Sequence, residues 1–203
     1  MTALVAGLMV LASAAVKADQ VVFSTTGTFS AGTGAGTNST SFTCGIGCTT
    51  TLTFTGTSNT LFTPGGAQFG DLLVMSSAPS GNIGATITGN LTLNFFQTLP
   101  SVGSSVLVGS LSGSLGFNSG LGTLTFAPTS MSIGGIVYTV NPSYTIALPV
   151  TGVGGSAGTG TTTIQGGVTG TAVPEPTSML LLGTGLAGVA GAARRKLRAR
   201  NLS

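Results

Sequence analysis

Catalysis needs side chains that exchange protons or attack as nucleophiles, and this sequence holds very few of them. Its six basic residues are Lys17, Arg194, Arg195, Lys196, Arg198 and Arg200, its three acids are Asp19, Asp71 and Glu175, and it has no histidine. Between Gln20 and Ala172 the only acidic or basic side chain is Asp71. A glycosidase would need a second carboxylate across the scissile bond, and a serine hydrolase would need a base. Neither is present in that stretch, so Asp71 in Phe69-Gly70-Asp71-Leu72 is expected to be an acid of a turn or loop. No catalytic residue and no cofactor is expected, and the chain is expected not to be an enzyme.

The other reactive pair is Cys44 and Cys48 in Cys44-Gly45-Ile46-Gly47-Cys48. Four residue steps of extended strand would span roughly 13 Å, whereas a disulfide needs Cα atoms within about 7 Å, so bonding requires a turn. Gly45 and Gly47 permit one. A local disulfide is the natural reading for an exported chain, with free thiols or half a metal site as the alternatives. Zinc would lack two ligands, because there is no histidine and no second cysteine pair, and no metal is expected.

Charge excludes a further class. The pI of about 9.3 suggests a basic protein, but all six basic residues lie near the two ends of the 203-residue chain. A nucleic-acid surface needs several Lys or Arg spread over one face to neutralise phosphates, and no nucleic-acid partner is expected. Charged residues are 4% of the chain, against roughly 25% in an ordinary soluble domain.

The elements that carry these residues follow from hydrophobic periodicity. From Val21 to Thr171 short runs of period two are separated by Gly, Pro, Ser and Asn. Leu52 and Phe54 alternate with Thr51, Thr53 and Thr55, and Leu91, Leu93 and Phe95 alternate with Thr92 and Asn94. Each set gives one apolar and one hydroxyl-rich face. Roughly eight to eleven such strands predict an all-β fold, an antiparallel β-sandwich or jelly-roll-like body over residues 19–172. The Gly-rich stretches Gly32 to Thr37 and Gly152 to Gly160 lack the helix and lysine of a phosphate loop and are expected to be flexible inter-strand loops.

The two ends differ from the body. Residues 1–18 are expected to be a signal peptide: an apolar run of 14 from Ala3 to Val16, then Val16-Lys17-Ala18 suited to signal peptidase. Met1-Thr2 carries no Lys or Arg for the usual positive n-region, which leaves open whether Met1 is the true start. Residues 173–203 read as three parts in fixed order. Val173-Pro174-Glu175-Pro176 is held out of ladder and helix by its prolines; the apolar run 177–193 has 17 residues; and Arg194, Arg195, Lys196, Arg198 and Arg200 form a basic cluster. As a helix the run would reach roughly 26 Å, close to a hydrocarbon core when Arg side chains snorkel. The expectation is a C-terminal transmembrane helix in the inner membrane, with the basic cluster as a cytoplasmic stop signal.

In that order of motif, span and cluster, residues 173 to 200 resemble the PEP-CTERM family of exported proteins. The resemblance implies recognition of Val173, Pro174, Glu175 and Pro176 by an exosortase, a membrane-embedded cysteine transpeptidase-like enzyme. It also implies removal of the tail and transfer of the protein onward, in Gram-negative bacteria that make exopolysaccharide. An inner-membrane anchored precursor would thus become a cell-surface or extracellular-matrix protein. The body is broadly similar to the all-β choice-of-anchor domains found ahead of such tails.

For the body itself, the leading expectation is a structural or adhesive part of the matrix, with hydroxyls that bond exopolysaccharide or copies of itself. The alternative is a carbohydrate-binding module, which needs exposed aromatics. There is no Trp, and only Tyr138 and Tyr144 could serve. Exposed, adjacent tyrosines would favour sugar binding; buried ones would favour a structural body.

Overall fold

The computed structural model describes residues 20–58, 60–62, 65–77, 84–115, 120–147, 158–170, 181–191 and 194. The chain divides into two compact units, Met1–Gly170 and Thr171–Ser203. The expected signal peptide, residues 1–18, lies outside the described residues.

Alternation of Thr or Ser with large apolar residues builds the first unit. In β3 (Thr49–Gly56), Leu52 and Phe54 are buried while Thr51 and Thr53, on the other face, are half-buried. In β1 (Val21–Phe29), Val21, Phe23 and Phe29 face inward. The remaining strands are β2 (Ser39–Thr43), β4 (Thr60–Phe62), β5 (Gly65–Ser76), β6 (Ala85–Leu99), β7 (Gly103–Leu115) and β8 (Gly120–Phe126). They continue with β9 (Ser130–Ile133), β10 (Ile136–Val140), β11 (Ser143–Ala147) and β12 (Gly158–Gly170). They form two six-stranded sheets, ordered β11-β8-β7-β6-β1-β4 and β2-β3-β5-β12-β10-β9, with every pairing antiparallel.

The sheets bury one shared core, to which Phe23 and Phe95 contribute from one side and Phe69 and Tyr138 from the other. Ring centroids lie 5.5 Å apart for Phe23–Tyr138, 5.1 Å for Phe69–Phe95 and 5.3 Å for Phe95–Tyr138. Such pairs add about 0.5–1.5 kcal/mol each beyond burial, so this cluster ties the sandwich across its mid-plane. Outside, hydroxyls pair between strands: Ser39 with Thr53 at 3.0 Å, Ser41 with Thr51 at 2.9 Å and Ser112 with Thr123 at 2.9 Å. These are register partners, so the polar coat also pins the strand alignment.

Four expectations need correction. Twelve strands occur among the described residues, more than the periodicity suggested. Segments as short as β4 and β9 are too brief to display a period of two. Asp71 is in β5, not a turn, because Gly70 at φ 139° allows a bulge to be absorbed within the strand. There Phe69 and Gly70 are both buried, and β12 shifts register opposite them between Ile164 and Gln165. Of the stretch Gly152 to Gly160, the last three residues already belong to β12, and residues 152–157 lie outside the described residues. Finally, the Gly32 to Thr37 segment is a hydrogen-bonded turn. Phe29 donates to the Thr37 carbonyl at 2.9 Å, Gly36 to that of Phe29 at 2.7 Å, and Thr33 and Ser41 exchange bonds at 2.9 Å.

In the second unit, residues 181–191 are helical, and Arg194 is also in helical conformation. No helix among the described residues is long and apolar enough to cross a membrane. The expected span 177–193 is thus described in part only, and residues 177–180, 192 and 193 lie outside the described residues.

Candidate functional site

Asp71 faces outward on β5, where the sheet brings polar side chains to it. Gln68 donates to both carboxylate oxygens at 3.1 Å, and Thr163 on β12 donates to Oδ1 at 2.8 Å. Thr55 is its register partner on β3. Asp71 is the only acidic or basic side chain among the described residues of the first unit. Among the described residues there is no group of three or more His, Cys, Asp or Glu that could hold a metal ion. The cluster is chemically a satisfied carboxylate that joins β5 to β12.

Cys44 and Cys48 are joined as a disulfide with Cα atoms 5.0 Å apart. The turn between β2 and β3 brings them together. Gly45 and Gly47 adopt φ of +110° and +75°, which side-chain-bearing residues rarely take. The Cys44 N–H donates to the Cys48 carbonyl at 3.1 Å, closing the same loop through the backbone. Cys48 is buried, while Ile46 at the tip is fully exposed.

Both tyrosines are buried, Tyr138 at 0% and Tyr144 at 8% exposure, so neither offers a face on which a sugar could stack. Tyr138 donates to Gln97 Oε1 at 2.8 Å, and Gln97 Nε2 donates to the Ser101 carbonyl at 2.9 Å. Tyr144 receives the N–H groups of Asn141 at 3.1 Å and Gln165 at 3.0 Å, and donates to the Gln165 carbonyl. Burial pushes the Tyr138 phenol up to about 12 and also raises that of Tyr144, against the lowering effect of its bonds to Asn141 and Gln165. Sequence reasoning missed both networks. Their partners stand 41 and 21 residues apart, and no local pattern announces them.

In the tail, every side chain of residues 181–191 is exposed, including Leu181 at 76% and Leu182 at 65%, as is Arg194. Val173, Pro174, Glu175, Pro176, Arg195, Lys196, Arg198 and Arg200 lie outside the described residues.

The architecture is therefore that of an all-β body followed by a short sorting-type tail. Residues 172–196 match the PEP-CTERM protein-sorting motif, the feature of exported proteins that an exosortase processes at the membrane of Gram-negative bacteria. The match covers the tail and leaves the body unassigned. No curated protein and no solved structure matches the chain.

Proposed function

We propose that this chain is a non-enzymatic surface protein. Its tail anchors a precursor in the inner membrane through residues 177–193, and its β-sandwich becomes a structural or adhesive element of the cell surface or extracellular matrix. The carrying observation is the exposed apolar helix of the tail within the sorting motif, immediately ahead of the basic cluster. Arg194, Arg195, Lys196, Arg198 and Arg200 would resist crossing and hold the C-terminus in the cytoplasm.

Two features of the body support the structural reading over a carbohydrate-binding module. Its tyrosines are buried, and several of its outward hydroxyls are bonded to each other across strands. Contacts with exopolysaccharide or with copies of the chain would then use the remaining surface hydroxyls and scattered apolar groups.

The test is replacement of Pro174, Glu175 and Pro176 together by Ala, Gln and Ala. The variant is expected to keep its tail and stay in the membrane fraction, with an intact mass that includes residues 177–203. A released species of wild-type mass from that variant would defeat the sorting assignment.

A further inference from the structure

The body exposes apolar side chains at both ends, Ile46, Leu121 and Met75 at one and Val102, Val106, Leu99 and Phe96 at the other, and it is at the second that its chain enters and leaves. Val22, next to the first strand residue, is the register partner of Leu99, the last residue of β6. Gly170, the last residue of β12, pairs with Ile136. A Cβ at Gly134, in the β9–β10 turn, would meet Ser101, and one at Gly103 would meet Ile133. Entry, exit and the β6–β7 hairpin thus share one end. The Cys44–Cys48 turn lies at the other: Thr50 beside it pairs with Ser76 and donates to the carbonyl of Leu115, the far end of β7.

At the entry and exit end, Val102 is 87% exposed, Val106 51%, Leu99 48% and Phe96 45%. Phe96 pairs with Ser104, and Val106 pairs with Asn94, so the two are diagonal neighbours on the outer face of the sheet. Gln97, held by Tyr138, anchors Ser101 beneath the tip, so the hairpin presents Val102 from a braced base.

We propose that this apolar end is a membrane-contacting surface that seats the body on the bilayer while the tail is attached. The inference rests on the tail being membrane-inserted, as proposed above. Six residues, 171–176, separate Gly170 from the apolar run that begins at Thr177. Whatever their path, a chain of that length reaches no more than about 25 Å at full extension. The exit end is thereby held near the lipid surface, and the opposite end is under no such obligation. Tethering turns a weak contact into an intramolecular one, so a few apolar side chains suffice. Among the described residues that end carries no acidic or basic side chain, and the charged residues nearest to it along the chain, Asp19 and Glu175, are both acids, so the contact would be apolar and would not be weakened by salt. It would confine Val173 to Pro176 to the layer in which a membrane-embedded processing enzyme works. Cleavage of the tail would end the tethering and release the body.

The tail-bearing chain freed of residues 1–18, oxidised and reconstituted into phosphatidylethanolamine–phosphatidylglycerol vesicles, tests this with an environment-sensitive fluorophore on single substitutions Val102→Cys, Leu121→Cys and Leu186→Cys. Leu121 is 68% exposed and lies near the opposite end, beside Gly120 and its partner Leu115, so it controls for the fluorophore's own affinity for lipid. The expected result is blue-shifted emission, quenching by lipid-borne spin labels and loss of iodide quenching at positions 102 and 186, with position 121 aqueous, and no weakening of the contact at high salt. Lipid quenching at 186 with position 102 as aqueous as 121 would overturn the surface and spare the anchor. Shielding at 102 from both iodide and lipid labels would overturn it in favour of contact between copies. An aqueous position 186 would overturn the anchor and the inference with it.

Discussion

The Tyr144 hydroxyl, on β11 of one sheet, receives the backbone N–H of Gln165 on β12 of the other at 3.0 Å and donates to the carbonyl of the same residue. Gln165 sits where the β5–β12 register shifts, so its peptide groups are displaced from the regular ladder at that point. One phenol therefore links the two layers at a bulge. Tyr144→Phe should leave the Gln165 N–H unpaired and cost about 1–3 kcal/mol. Urea denaturation of the released protein followed by circular dichroism measures it; a midpoint equal to wild type would show that water replaces the hydroxyl without loss.

Alkaline stability should follow the same two tyrosines. Burial raises both phenols, Tyr138 to about 12. A raised phenol pKa means the unfolded chain releases its proton first. The stability contributed is then complete below the ordinary value of 10.0 and lost as pH rises to about 12. The thermal midpoint is expected to be level below about pH 9 and to fall beyond about pH 10. The fall should be shallower in Tyr138→Phe, despite its lower starting stability. An equally steep fall in that variant would assign the alkaline loss to other groups.

Reaction of the surface-recovered protein with an alkylating agent, without reductant, should add no mass at Cys44 or Cys48. Replacing both by Ser should destabilise by about 2 kcal/mol, the chain-entropy value for so small a ring. Recovery of both residues alkylated would contradict the disulfide in the exported form.

Backbone packing separates two register-neighbouring glycines. A Cβ on Gly166 would run into the Thr139 carbonyl and lie 2.7 Å from the Phe69 ring, whereas one on Gly66 meets nothing nearer than the Gly166 carbonyl oxygen at 4.0 Å. Gly166→Ala is expected to cost about 2–3 kcal/mol, and Gly66→Ala to stay within about 0.5 kcal/mol of wild type. Equal midpoints for the two variants would show that β10 and β12 can separate without penalty.

Processing should invert the charge. The precursor has six basic and three acidic side chains, a balance of +3. Loss of residues 1–18 removes Lys17, and loss of the tail removes the other five basic residues. Asp19, Asp71 and, when retained, Glu175 remain, giving a side-chain balance of −3 or −2. Isoelectric focusing of cell-bound and released forms should show a basic precursor and an acidic product, and a basic released form would place the cuts elsewhere.

The sequence by itself determined the local properties. Leu52 and Phe54 against Thr51 and Thr53 set strand and face, because side chains two apart share a side of a pleated strand. Motif, apolar run and Arg cluster were legible because a sorting signal is read along the chain, as was the scarcity of acids and bases in the body. Only the tertiary structure decided what depends on distant partners: the two sheet orders, the place of Asp71 in a bulged strand, and the burial of Tyr138 and Tyr144 on Gln97 and Gln165. It also decided that Val22, Leu99, Val102 and Gly170 meet at one end. Periodicity tells a strand which face is inward but not which strand lies beside it; that choice is settled by long-range pairing and register, where loop-closure entropy and packing act on residues dozens of positions apart.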